Sequence, residues 1–168
     1  MYIKFIFDAN TLFNDLQKKI IGSIYRSLDR RFMESVGNIL SDDIVRRTRL
    51  GYGVEGEGKL RQKLKPLSEN YVEFRKQNKR KLYNLTSPKK SNLTFTGQLL
   101  NSLTAKSERI GKVTLFFKGK HNNLDGSTMD NGLLANFVSK NRPFLGPTNR
   151  EMQRLKTNIK NQILKSFK

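Results

Sequence analysis

The sequence predicts a small α+β domain: a small antiparallel sheet packed against a long N-terminal helix and a C-terminal helix, with an extended basic insertion. Three patterns carry that expectation. Apolar residues at Phe13, Leu16, Ile20, Ile24, Leu28, Phe32, Val36 and Ile39 recur at steps of three or four, one stripe of a helix over residues 10–40. Val113, Leu115 and Phe117 alternate with less apolar neighbours, the period of a strand with one buried face. Met152, Leu155, Ile159, Ile163 and Phe167 form a second helical stripe, and Thr148 and Glu151 ahead of it have the spacing of a capping box.

Residues 2–7 alternate loosely and predict a short strand or extended lead-in, after which Asp8, Ala9 and Asn10 open the first helix. At roughly 1.5 Å per residue that helix exceeds about 40 Å, longer than a domain of this size buries. Either Gly22 or Gly37 breaks it, or part of it packs on another subunit. Ser41, Asp42 and Asp43 are then expected to cap a shorter helix that runs into Arg46, Arg47 and Arg49 and stops at Gly51, with acids first and bases last as the helix dipole favours.

Residues 51–58 hold four glycines in eight positions, a mobile connector without the strand-to-helix setting of a phosphate loop. Residues 59–90 carry eleven Lys or Arg against two Glu, a net +9 of the chain's +19. A helix is expected within 67–82, with Leu67, Tyr71, Phe74 and Leu82 as sparse apolar positions and the run Arg75 to Lys81 as its basic flank. That run reads either as a solvated face or as a nucleic-acid contact, through Lys59, Arg61, Lys63, Lys65, Arg75, Lys76, Lys79, Arg80, Lys81, Lys89 and Lys90. Few aromatics are interleaved with it, which argues against a single-strand stacking platform.

Beyond Pro88, Thr96 is placed to cap a short helix whose buried side is Leu99, Leu100 and Leu103. Strands over 102–109 and 112–118 follow, joined near Ile110 and Gly111. Residues 121–132 read as a polar loop, 133–138 as a short helix, and 142–147 as a turn with Phe144 and Leu145 as buried anchors. The whole is one domain over 1–168, with a flexible glycine-rich and basic arm over 51–92 and a core over 93–167.

The 168 residues suffice for one modest core, and the 36% hydrophobic content is low. A charge of +19, from 33 Lys and Arg against 14 Asp and Glu, calls for an anionic partner or an acidic neighbour. With no cysteine there is no disulfide, no Cys zinc site and no thiol nucleophile, which fits a reducing compartment. No apolar run approaches the ~18 residues of a membrane span, so a soluble protein without a secretion signal is expected, with no membrane partner.

Catalytic groups are scarce. The single histidine, His121, needs an orienting acid, and Asp125 and Asp130 are the nearest in sequence. The acid pairs Asp42-Asp43 and Glu55-x-Glu57 offer Mg²⁺ ligands for a nuclease, but helix capping and loop solubility account for them more simply. The expectation is a protein with no cofactor and no metal that is not an enzyme.

Two segments say more. Leu93-Thr-Phe-Thr-Gly-Gln-Leu-Leu-Asn-Ser-Leu103 followed by a hairpin, and Asn141-Arg-Pro-Phe-Leu-Gly146 followed by a terminal helix, occur in the order and approximate spacing of the virion morphogenesis or tail-completion family of tailed bacteriophages. The chain resembles that family over about residues 91–167. The resemblance implies a ring, six-fold favoured, at the neck or upper tail of the virion, a tail terminator that joins head to tail after assembly in the host cytoplasm. Its implied partners are further copies of itself, the neighbouring connector and tail-tube proteins, and genomic DNA in the channel. The motif residues Thr96, Gly97, Leu100, Ser102, Arg142, Pro143, Phe144, Leu145 and Gly146 are expected to be scaffold: Gly97 where the loop turns into helix, Pro143 stiffening the turn, Phe144 and Leu145 anchoring the last helix on the sheet. A basic protein that binds DNA without sequence preference is the alternative.

Overall fold

The computed structural model describes residues 9–54, 62–109, 111–165 and 167. Among them it shows the expected α+β fold, six α-helices with two small antiparallel two-stranded sheets. The proposed strand over 2–7, the cap at Asp8, the acids Glu55 and Glu57, and the bases Lys59 and Arg61 lie outside the described residues.

The long N-terminal stripe divides into α1 (Ala9–Ser27) and α2 (Arg30–Arg49). Neither Gly22 nor Gly37 makes the break, contrary to expectation. It falls at Asp29, whose extended backbone stops one helix and whose carboxylate accepts the Phe32 N–H at 2.7 Å to start the next. Gly22 sits inside α1 in open space, and Gly37 is buried inside α2 where that helix crosses the hairpin. Ser41, Asp42 and Asp43 do not cap a separate helix either. All three lie within α2, where Ser41 and Asp43 are buried and Asp42 is exposed. α2 ends where Gly51 adopts a φ of +90°.

The glycine-rich stretch begins in order. Gly53 N–H donates to Gln62 O at 2.8 Å and Leu64 N–H to Gly51 O at 2.8 Å, so residues 51–54 run beside 62–64. Leu64 enters the core. The expected helix within 67–82 is shorter, α3 (Glu69–Gln77), followed by single 3₁₀ turns at Lys79–Lys81 and Tyr83–Leu85. Leu82 between the turns is buried.

α4 (Gln98–Asn101) leads into β1 (Leu103–Arg109), which pairs antiparallel with β2 (Lys112–Phe117) from Leu103 opposite Phe117 to Arg109 opposite Lys112, with a register shift after Ser107. The residues read as a polar loop form a second hairpin, β3 (Lys120–Asn122) with β4 (Thr128–Asp130). Its turn residues are polar and its strands short, so the alternation is too brief to read as strand. Asp130 then caps α5 (Asn131–Asn141), accepting from Gly132 N–H at 2.8 Å and Leu133 N–H at 3.0 Å. α6 (Asn149–Lys165) closes the fold with the predicted capping box: Thr148 N–H donates to Glu151 Oε2 at 2.8 Å, and Glu151 N–H to Thr148 Oγ1 at 3.3 Å.

α2 is the hub. It packs on β1 and β2 with one face and on α6 with another, while α1 packs on α6. The core gathers Ile44 of α2, Leu64, Leu99 and Leu100 of α4, Ala135 of α5, and Phe144, with Leu115 and Phe117 of β2 packed against it. Each large side chain fully buried there contributes about 1.5–3 kcal/mol of hydrophobic stabilisation.

Candidate functional site

The Arg142 to Gly146 segment is held at the meeting point of α2, α5 and α6. Arg47, on the last turn of α2, is 3% exposed. It donates from Nη2 to Phe144 O at 2.8 Å and Gly146 O at 3.0 Å, and from Nη1 to Glu151 Oε2, the same oxygen that completes the α6 cap. One guanidinium therefore joins α2, the motif turn and the start of α6. Its planar fork suits two carbonyls and a carboxylate at once.

Phe144 is 0% exposed and meets Phe117 edge-on, with centroids 6.3 Å apart. Leu145 differs from expectation: at 36% exposed it is not a second anchor. Gly146, next in the chain, takes a φ of +103°, a backbone conformation that favours glycine. α6 docks on α2 and α1, where the sequence reading placed it on the sheet. Arg142 reaches the other way, donating from Nε to Lys65 O at 3.2 Å and from Nη2 to Pro66 O at 3.1 Å, while Pro143 O accepts the Val54 N–H at 3.0 Å. The motif thus clips the basic segment to the core.

The first motif is also scaffold in its contacts. Gly97, not Thr96, is the N-cap of α4, with no side-chain cap bond. Thr96 Oγ1, one residue earlier, accepts the Gln98 N–H at 3.4 Å, and Gly97 takes a φ of +76° where a Cβ would run into the Tyr83 ring. Leu100 is buried, and Ser102 donates to Leu99 O at 2.7 Å while its own carbonyl accepts the Lys118 N–H at 2.8 Å.

The basic candidates separate. Lys63, Lys65, Lys76, Lys79, Arg80, Lys81, Lys89 and Lys90 are exposed. Arg75 is not a surface contact: it is 1% exposed, donates from Nη1 to Lys90 O at 2.8 Å, and lies 6.0 Å from the Tyr71 ring centroid. Desolvation pulls its pKa down. The other bases of the run, Lys76, Lys79, Arg80 and Lys81, are all exposed, so nothing in the run marks Arg75 as the one that turns inward.

His121 lies in β3, in the wall of an apolar cavity of about 460 Å³ lined by Tyr71, Phe74, Phe95, Leu134 and Val138. Its Nδ1 is buried without a hydrogen-bond partner among the described residues, and burial pushes the imidazole pKa below its usual value. The two candidate acids are engaged elsewhere. Asp125 accepts from Ser127 N–H at 2.9 Å and Ser127 Oγ at 2.6 Å, which lowers its pKa, and Asp130 caps α5. The structure therefore does not assemble an acid–histidine pair.

A cluster that sequence reasoning missed lies between α2 and α6. Asp43 accepts a hydrogen bond from Arg46 Nη2 at 2.9 Å on one oxygen and forms an ion pair with Arg154 Nη2 at 3.1 Å on the other, with only 6% of its side chain exposed. Arg150, Arg47 and Glu151 complete the walls of a hollow of about 330 Å³. Arg46 and Arg154 keep about half or more of their side-chain surface open. The i, i+3 spacing of Asp43 and Arg46 was a visible signal; the approach of Arg154 was not. Asp42 points to solvent, and among the described residues no group of three or more His, Asp or Glu side chains converges as metal ligands would. No described helix is long and apolar enough to cross a membrane. No protein-family model, curated protein or solved structure matches the chain.

Proposed function

We propose that this chain is a structural protein of a tailed-phage virion, a neck or tail-completion protein whose copies close into a ring, six-fold favoured, that joins the head connector to the tail. Its activity is assembly, with no catalytic step. The observation that carries the reading is apolar surface left open on two helices. On α5, Leu133 and Phe137 are 67% and 68% exposed, and on α1, Ile21 and Tyr25 are each more than half exposed. Each pair is four residues apart and so shares a helix face. A ring needs two different patches per subunit that meet head to tail, and two open apolar faces supply that material. Covering each such side chain is worth about 1.5–3 kcal/mol. The ordered motifs over residues 91–167 give the ring its phage setting.

Native mass spectrometry of the purified chain across concentration tests this reading. One closed copy number should dominate at high concentration, and Leu133→Glu with Phe137→Glu should return the protein to monomer. A chain that stays monomeric at every concentration and in assembled particles would contradict it.

A second reading, a basic protein that binds nucleic acid without sequence preference, is favoured by the exposed turn Lys79, Arg80 and Lys81 next to Lys76. Its affinity for a duplex should fall steeply with salt, with a slope of about −0.9 per neutralised phosphate.

A further inference from the structure

We infer that the groove between α2 and α6 is a binding site for the phosphodiester groups of nucleic acid. The inference rests on the second reading, that the chain meets nucleic acid, and moves the contact away from the basic segment to residues outside it.

The charge balance of the groove is the first argument. Its walls hold the guanidiniums of Arg46, Arg47, Arg150 and Arg154 against the carboxylates of Asp43 and Glu151, a net +2 in one hollow. Glu151 is matched by Arg47, whereas the single charge of Asp43 is divided between Arg46 and Arg154. Among the described residues Arg150 has no hydrogen-bond or ion-pair partner, so its charge faces the groove uncompensated.

Preorganisation is the second. A buried carboxylate holds Arg46 and Arg154 by one nitrogen each and leaves the other N–H groups of both forks for an incoming oxyanion. Fixing two long side chains before the ligand arrives removes part of the ordering cost of binding. Arg49 borders an adjoining hollow that shares Asp43, Arg46 and Arg154 with this one, but its guanidinium is engaged by Asn101 Oδ1 and the Tyr83 ring, and Asp42, Ile39 and Val45 line the same wall, so the net positive charge is concentrated in the first hollow.

The lining also separates nucleic acid from an acidic protein. Among the described residues Leu50 is the only apolar side chain in the wall of the charged hollow, Ile39 and Val45 lining the adjoining one. Protein partners dock through apolar and aromatic anchors, which this hollow does not offer, whereas a phosphate backbone is bound by charge and hydrogen bonds.

The test is a salt titration of full-length protein binding to a short labelled duplex, read by fluorescence anisotropy. Arg150→Gln with Arg154→Gln should reduce the salt slope by about 1.8, and Arg150→Gln alone, which breaks no hydrogen bond or ion pair among the described residues, by about 0.9. The charge-matched pair Lys156→Gln with Lys160→Gln, exposed on the same helix, should leave the slope unchanged. Equal losses from both pairs, or none from the arginines, would overturn the groove. A loss confined to Lys79→Gln, Arg80→Gln and Lys81→Gln would keep nucleic-acid binding and reject this site, and no duplex binding by the parent chain at low salt would reject both.

Discussion

Two arginines, each almost fully buried, mark two differently built regions. Arg47, in the joint between α2 and α6, meets two carbonyls and a carboxylate. Arg75, which ties α3 to the backbone of Lys90, has one carbonyl and the face of Tyr71, while its Nε and Nη2 find no partner among the described residues. A guanidinium keeps its charge when buried, so the surroundings decide whether burial stabilises. The first region is built around its charge. The second tolerates one, and draws its cohesion from Leu64, Leu82 and the clustered rings of Tyr71, Phe74 and Phe95.

The largest effect should follow from breaking the better-satisfied arginine. Arg47→Ala leaves Glu151 half-buried beside two unpaired carbonyls and should cost about 3–5 kcal/mol, measured by urea unfolding. Gly37→Ala comes next. A Cβ there would lie 2.5 Å from Val113 Cγ2 and 2.7 Å from Ala105 Cβ, and pushing α2 off the hairpin should cost about 1–3 kcal/mol. Arg75→Met should change stability by less than about 1 kcal/mol in either direction, because an apolar chain of similar length replaces an under-satisfied charge. A loss for Arg75→Met as large as that for Arg47→Ala would erase the distinction between the regions.

The smallest effect concerns His121, whose ring lines the cavity beside Tyr71 and Phe74. Desolvation lowers its folded pKa below the ordinary 6.5. The unfolded chain then binds protons more readily than the folded one, so this contribution is fully present above 6.5 and is lost as pH falls through the folded pKa. The urea midpoint should decline across that window, and His121→Gln should flatten the decline.

Local patterns carried the fold into the sequence. The alternation at Val113, Leu115 and Phe117 located the hairpin, and the spacing of Thr148 and Glu151 located the start of α6. Both signals act between near neighbours. What misled the reading was the dual use of residue types. Glycine serves helix breaks, but at Gly37 it serves close packing of α2 on β1 and β2. Aspartates cap helices, as Asp29 does, but Asp43 sits mid-helix and holds Arg154 from the far end of the chain. Lysine and arginine runs read as uniform surface, and burial of Arg75 depends on the backbone at Lys90. The α2–α6 groove was illegible because its walls come from segments about a hundred residues apart, joined only when Arg47 grips the motif turn.

In the proposed ring the open apolar faces of α1 and α5 are contacts between copies. A density map of the assembled particle at side-chain resolution tests it most directly. The account predicts a closed ring of this chain at the head–tail joint, with Leu133 and Phe137 of each subunit covered by the next. A single copy in the particle, or a ring in which both residues face solvent, would contradict it.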